Sequence, residues 1–400
     1  MKEGWEYKTL GEVVSFSRGL TYKKSDEVDY STKVVLRSTN INVDNNSLNI
    51  DELKYLNENI EVEEEKLIKK GAILICMSNG SKKHLGKVAL IEHDYKYAFG
   101  GFMGLLTPVI KINSKYLYYT LTTPKYKEYI KSLSEGANIN NLKIKDIQKY
   151  IIPIFPLDEQ RRIVSYLDSS FKLIDEIKNK ALKSLTEAKA LFQSALAEAT
   201  EPKEGWEEKT LKEIGLTQTG TTPSKSNKAY YGNYIPFIRP SEINIDGLGT
   251  IEYNSEIMLS QKGIEAGRKF TKKSILMVCI GATIGKVGYS ERDISCNQQI
   301  NVLSPYNGYN YKYLYYAMSS SVFQKKVIME GTSAQATLPI INKGKWEKLL
   351  LYIPPLSTQK QIVSRLDKLS SKVRAIEEKY HKMVEECDAL KQAMLRDVFE

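Results

Sequence analysis

The sequence predicts an α+β molecule with pseudo-two-fold symmetry: two similar domains of mixed α and β structure, separated by two long helices that pair as an antiparallel coiled coil. Three observations predict it. Residues 3–13 read EGWEYKTLGEV and residues 204–214 read EGWEEKTLKEI, identical at eight of eleven positions and offset by 201. A second echo closes each half: Pro156, Leu157, Gln160, Ile163, Val164, Ser165, Leu167 and Asp168 recur as Pro355, Leu356, Gln359, Ile362, Val363, Ser364, Leu366 and Asp367, at an offset of 199. After each second echo the apolar residues fall into heptads. A duplication of this size, with diverged material between the echoes, implies two copies of one structural plan.

The expected boundaries are 1–155 for the first domain, 156–202 for the first helix, 203–354 for the second domain and 355–400 for the second helix. Both domains carry short β-rich runs punctuated by Gly, Asn and Ser: KVVLRS (33–38), AILICMS (72–78) and KVALIE (87–92), then YIPFIRP (234–240), SILMVCI (274–280) and KVGYSE (286–291). Each also has a tyrosine-rich segment that begins a helix, KYLYYTL (115–121) and KYLYYAM (312–318). Trp5 and Trp206 occupy equivalent places and read as core anchors for the first strand of each domain.

The second helix has the stronger heptad. From Ile362 the apolar positions step by four and three through Leu366, Leu369, Val373, Ile376, Tyr380, Met383, Cys387 and Leu390 to Met394. Subtracting 199 gives Ile163, Leu167, Ser170, Ile174, Ile177, Ala181, Ser184, Ala188, Leu191 and Ala195. The register survives with smaller side chains, which suits pairing of the two helices with each other better than pairing of each with its own copy. Asp158 and Ser357, following Pro-Leu, are the expected N-caps. The seam is roughly 50 Å long at 1.5 Å per residue, whereas the intervening domain has an expected radius of gyration of roughly 15 Å. An antiparallel pair lets that domain join adjacent helix ends, so antiparallel is the cheaper topology.

Composition narrows the function. The formal charge is +10 and the pI about 9.0, which favours an anionic partner, and 26 tyrosines offer stacking and hydrogen-bonding surface beside the lysines. The longest apolar stretches, AFGGFMGLL (98–106) and SILMVCIGA (274–282), are too short for a bilayer, and the polar start has no signal-peptide core. The expectation is a cytoplasmic protein with no membrane contact. Cys76, Cys279, Cys296 and Cys387 are scattered and do not group with His84, His93 or His381, so neither a disulfide framework nor a metal site is encoded.

With these features in place the chain resembles the specificity subunits of type I restriction-modification systems. The resemblance covers the whole chain and rests on the order of domains and helices and on GTTPSKSN (220–227), IPFIRPSEI (235–243), GATIGKVG (281–288), NQQIN (297–301) and GTSAQATL (331–338). It implies a non-catalytic DNA-reading subunit in host defence. Each domain would be a target recognition domain reading one half of a split sequence in double-stranded DNA, and the helices would act as ruler and as dock for two methyltransferase subunits. Restriction subunits would join in the full complex. No cofactor is expected on this chain, with S-adenosylmethionine, ATP and magnesium implied for the partner subunits, the methyltransferase flipping the target adenine.

Arg and Lys read guanine, Asn and Gln read adenine, and Lys, Arg, Ser and backbone amides hold phosphates. On that chemistry the DNA-binding candidates of the first domain are Arg18, Tyr22, Lys23, Arg37, Ser38, Asn40, Asn79, Ser81, Lys82, Lys83, Asn138, Asn140 and Asn141. Those of the second are Thr221, Thr222, Ser224, Lys225, Arg239, Ser241, Thr283, Lys286, Gln298, Gln299, Ser333, Gln335 and Thr337. Arg37 and Arg239 sit at equivalent places after a strand, which points to a shared phosphate or structural role; Asn297, Gln298 and Gln299 could equally satisfy backbone groups. NGSKKHLGK (79–87) is a polar insertion relative to IGATIGK, as expected of a DNA-facing loop.

Catalytic motifs are near misses. Gly80 to Lys87 places five residues between its glycines and Gly281 to Lys286 three, and Val88 and Val287 stand where a phosphate loop needs Ser or Thr. Ile353-Pro354-Pro355-Leu356 lacks the polar head and aromatic tail of an adenine methyltransferase motif. Glu63-Glu64-Glu65 beside Lys66 reads as a solvated charge run.

Overall fold

The phrase that begins the first repeat folds as a strand, β1 (Glu6–Thr9), running into a helical turn, α1 (Leu10–Val13). Thr9 starts the turn because its amide and hydroxyl both donate to Glu12 Oε2, at 2.7 and 2.6 Å. The structure is a computed structural model that describes residues 5–43, 45–135, 141–243, 251, 253, 257–331 and 339–400. It divides into two units, residues 1–179 with 383–400, and residues 180–382.

In the first unit the strands are β2 (Val14–Arg18), β3 (Glu27–Val28), β4 (Lys33–Leu36), β5 (Lys54–Leu56), β6 (Ile73–Cys76), β7 (Val88–Leu90), β8 (Ala98–Phe99), β9 (Met103–Pro108) and β10 (Ile151–Ile154). They form one sheet in the order β2-β9-β6-β7, a second in the order β3-β5-β4-β8, and a pair in which β10 runs antiparallel to β1. The run ILIC of β6 is buried throughout because it faces apolar layers on both sides. Ile73 and Ile75 pack with Leu117, Tyr126 and Ile130 from α2 (Ser114–Thr120) and α3 (Pro124–Glu135), while Leu74 and Cys76 pack with Leu36 and Phe99 of the other sheet. The short α4 (Ile144–Ile147) precedes β10, and α5 (Leu157–Thr200) follows it.

The second unit repeats the plan. β11 (Glu207–Thr210) leads into α6 (Leu211–Ile214), with Thr210 bonded to Glu213 as Thr9 is to Glu12. β12 (Gly215–Thr219), β13 (Tyr231–Ile238), β14 (Met258–Leu259), α7 (Gln261–Ala266), β15 (Ile275–Val278), β16 (Val287–Tyr289), β17 (Ser295–Cys296) and β18 (Ile300–Pro305) follow. Next come α8 (Tyr311–Ser319), α9 (Ser321–Gly331), α10 (Lys343–Trp346), β19 (Leu350–Ile353) and α11 (Leu356–Phe399). The sheet order β12-β18-β15-β16 matches β2-β9-β6-β7, and β11 pairs with β19 as β1 does with β10.

The second echo is the joint between domain and helix. Gln160 is 1% exposed; its Oε1 accepts from the Asn113 amide and its Nε2 donates to Phe155 O, both at 2.8 Å. Gln359 makes the same bonds to the Asn310 amide and Pro354 O, again at 2.8 Å. Asp168 accepts from the Tyr119 hydroxyl and pairs with Lys115; Asp367 accepts from Tyr316 at 2.7 Å and pairs with Lys312 at 2.8 Å. Burial first, then the neighbouring carboxylate, pushes both tyrosine hydroxyls far above their usual range, so they stay neutral donors. Removing Gln359 orphans a buried amide and a carbonyl. Gln359→Ala is therefore expected to cost about 1–3 kcal/mol, measured as a shift in the urea midpoint of the unit that holds Trp206 and Trp346.

Both helices start at leucine, two residues earlier than N-caps at Asp158 and Ser357 would give. Asp158 thus lies within the first turn, where its Oδ1 accepts from Arg161 at 3.0 Å, and the Gln160 and Gln359 amides bond back to Pro156 O and Pro355 O. The pairing is antiparallel in each unit. In the first, Asp175 meets Lys391 at 2.6 Å and Lys178 meets Asp388 at 2.8 Å; in the second, Lys189 meets Glu377 at 2.6 Å and Glu198 meets Arg365 at 3.3 Å. The number rises on one helix as it falls on the other. Leu167 packs with Leu395 and Phe399, and Ala195 and Ala199 pack in the cluster of Val363, Leu366 and Val373, small against large.

The seam differs from the expected heptad at alternate positions. Leu167, Ile174, Leu366 and Val373 are buried, and Ile163, Ile362, Leu369 and Met383 are half-buried. Ile177, Leu191, Ile376 and Leu390 are exposed; Lys178, Phe192, Glu377 and Lys391, each one residue on, turn inward in their place. At 3.6 residues per turn a step of four after Ile174 keeps the stripe on the partner, whereas repeated 3.5-residue steps drift off it.

Candidate nucleic-acid interface

In each unit the ends of three strands and one turn converge, held by the same backbone bonds. The Gly19 amide donates to Met103 O at 3.2 Å and Gly220 to Ile300 O at 2.9 Å; Leu20 donates to Phe99 O at 2.7 Å and Thr221 to Cys296 O at 2.9 Å. Gly100 donates to Leu36 O and Asn297 to Ile238 O; Met77 donates to Phe102 O and Cys279 to Gln299 O. The chain crosses itself so tightly that a Cβ on Gly19 would lie 2.1 Å from Gly100 O, and one on Gly220 2.1 Å from Asn297 O. Only glycine fits either crossing.

On this shared frame the side chains differ: Leu20, Thr21, Gly100, Gly101 and Phe102 in the first unit stand where Thr221, Thr222, Asn297, Gln298 and Gln299 stand in the second. Arg18, exposed, ends β2. Ser38 and Asn79 are joined by a 2.9 Å bond from Asn79 Nδ2 to Ser38 Oγ, and Asn141 bridges Ser78 beside them. Tyr22 donates to Glu27 Oε1 at 3.3 Å, the same carboxylate that Arg37 approaches at 3.6 Å, and Lys23 is exposed on the same loop. In the second unit the Thr222 hydroxyl donates to Gln298 Oε1, so the exposed Gln298 amide is oriented. Ser224 shares a 2.8 Å hydroxyl bond with Ser226 and, like Lys225 and Ser241, is exposed.

Several candidates do other work. Asn40 is 3% exposed; its Oδ1 caps the Arg37 amide and its Nδ2 donates to Asn49 O and Glu52 O, so it builds the loop from inside. Arg239 is locked on Glu242 by two bonds, at 3.1 and 2.7 Å. Gln299 is tied to Asn297, whose Nδ2 donates to Gln299 Oε1 at 2.8 Å while its Oδ1 accepts the Gln299 amide. Ser81 donates its amide to Asn79 Oδ1, and Lys82 reaches Ser134 O at 3.3 Å, with Lys83 exposed between. Thr283 and Lys286 line a cleft of about 410 Å³ with Gln193, Ser319, Ser321 and Gln324. Asn138, Asn140, Ser333, Gln335 and Thr337 lie outside the described residues.

Sequence reasoning missed Phe102, exposed at the tip of a turn inside the apolar stretch 98–106. The signal was its place after two glycines, which break strand alternation. Burial pushes the Cys76 thiol up to about 11 and the Cys279 thiol up to about 12, so neither is a thiolate at neutral pH. Among the described residues no cluster of His, Cys, Asp and Glu could hold a metal ion, and no helix is long and apolar enough to cross a membrane.

The sequence matches the type I restriction modification DNA specificity domain twice, over residues 2–187 and 203–386. It is 26% identical over its whole length to the StySPI specificity subunit of Salmonella potsdam, covering 89% of that protein. The EcoKI specificity subunit of Escherichia coli K12 is likewise 26% identical, with the same coverage of both proteins. Among solved structures, a chain from a study of complex assembly and conformational transition in the type I R-M system superposes with a TM-score of 0.74 at 19% identity, covering 99% of this chain and 97% of that one. The HsdS subunit from Thermoanaerobacter tengcongensis superposes at 0.52 and 18%, covering 100% and 97%. A duplicated frame whose variable side chains sit on strand-end loops, matched twice along its length, makes this chain a member of the type I restriction-modification specificity subunits, the recognition components of those systems rather than their catalysts.

Proposed function

We propose that the chain reads a bipartite DNA target, each unit reading one half with its strand-end loops, and docks two methyltransferase subunits and, in the full complex, restriction subunits. One observation carries the reading. The two interfaces share the backbone bonds that cross their strand ends and differ in the side chains mounted on them, so one docking geometry serves two base sequences. Arg18, Lys23, Lys83 and Lys225 supply the exposed cations for phosphates, while Asn79, Asn141 and Gln298 supply base-edge chemistry. S-adenosylmethionine, ATP and magnesium belong to the partner subunits.

The helices offer the docking surface. Tyr166, Leu173 and Ile177 lie on one face of α5 in the first unit, 50–61% exposed, and Leu191 is 64% exposed in the second. Apolar side chains in a helical stripe outside the seam fit a protein partner.

The test is methylation mapping of DNA from cells carrying this chain and its methyltransferase. Gln298→Ala is expected to relax one base position in one half of the mapped target and leave the other half intact; a target changed in both halves, or in neither, would contradict separate readers. Seven residues inserted in register into α5 and α11 are expected to lengthen the unread spacer, and an unaltered spacer would remove the ruler role.

A further inference from the structure

We propose that Phe102 reads the C5-methyl group of a thymine in the half-site of the first unit. The inference rests on that unit reading DNA, and it names a specificity-determining residue there. Phe102 is 71% exposed, yet its backbone is pinned. Its carbonyl accepts from the Met77 amide at 2.9 Å and the Ser78 amide at 3.1 Å, and the Met103 amide closes the turn onto Gly100 O at 2.8 Å. Gly100 and Gly101 precede it and carry no side chain that could cover the ring. A pinned, bare aromatic ring at a loop cluster is presented to a partner surface, since among the described residues none covers it.

The surroundings define that surface. The turn meets Ser78, and beyond it stand Asn79, bonded to Ser38, with Arg18 at the end of the strand beside β9. An apolar ring set among paired donors and acceptors matches the floor of the major groove, where the thymine methyl is the one apolar feature among hydrogen-bonding base edges. The second unit supports the assignment by contrast. The same turn there carries Gln298 and Gln299, with the Gln299 carbonyl held by Cys279 as Phe102 is held by Met77. The frame keeps the position, but the Gln299 side chain is turned back onto Asn297, whereas the Phe102 ring stands out in solvent.

The test uses the chain assembled with its methyltransferase and the duplex defined by methylation mapping. Each dT of the first unit's half-site is replaced singly by dU, which deletes the methyl group and nothing else, and affinity is read by fluorescence anisotropy. For the native chain one replacement is expected to weaken binding about fourfold, the value of one buried methyl group. Phe102→Ala should weaken binding to the all-dT duplex by a similar factor and be insensitive to that dU, with Phe102→Leu between the two. A dU penalty undiminished in Phe102→Ala, no sensitive dT, or a half-site without dT would overturn the assignment. So would a 2-aminopurine signal lost in Phe102→Ala without any dU effect, which marks a wedge between bases, or a defect confined to subunit assembly. Arg18→Ala and Asn79→Ala separate the two levels. If they alter the half-site and Phe102→Ala does not, the Phe102 assignment alone fails; if none of the three alters it, DNA reading by this unit fails.

Discussion

Leu366→Glu is expected to destabilise the second unit by about 3–5 kcal/mol, whereas Ile376→Glu, ten residues along the same helix, should change stability by no more than about 0.5 kcal/mol. Leu366 is 0% exposed within the cluster that includes Phe192, Leu196 and Val363. A carboxylate there loses the apolar burial and must either remain charged without water or take up a proton. Ile376 is 37% exposed, with its neighbour Glu377 taking the inward place through the 2.6 Å bond to Lys189. The heptad alone assigns both residues to the seam and gives their substitutions similar effects. Urea unfolding followed by tryptophan fluorescence decides the matter, since Trp206 and Trp346 report on this unit; equal losses in the two variants would restore the simple heptad.

Gly220→Ala is expected to abolish recognition of the second unit's half-site and to cost about 1–3 kcal/mol. The added Cβ would overlap Asn297 O at 2.1 Å and Cys296 O at 2.6 Å, both backbone atoms that cannot rotate away. Relief requires the 220–222 and 296–299 segments to part, which breaks the bonds from Gly220 to Ile300 and from Thr221 to Cys296 and displaces Gln298. Gly19→Ala should do the same to the first half-site through Gly100 O. Gly344→Ala, away from the interface, is the control, because its Cβ would meet only Asn342 Oδ1 at an ordinary 3.5 Å. Methylation mapping with each variant reads the outcome, and intact recognition by Gly220→Ala would mean that the tight crossing does not support the interface.

Much of this was legible because duplication compares a sequence with itself. The recurrence of Gln160 as Gln359 and Asp168 as Asp367 marked a shared element before any contact was known, and the contacts turned out to be the joint of domain and helix. The candidate loops were legible as loops, from polar residues after apolar strands. Their individual roles were not. Asn40 has a side chain that reads bases and is spent inside the fold, whereas the structural part expected of Arg239 fits its hold on Glu242. Phe102 has a side chain that belongs in a core and stands in water.

By itself the sequence determined the two-copy plan, the helices and their antiparallel pairing, because these follow from periodicity and from the length of chain between repeats. Tertiary structure decided which face of each helix is buried, which glycines are irreplaceable and which polar side chains point outward. Those depend on where a distant backbone passes, within about an ångström at Gly19 and Gly220, and no local pattern of residue types carries that distance.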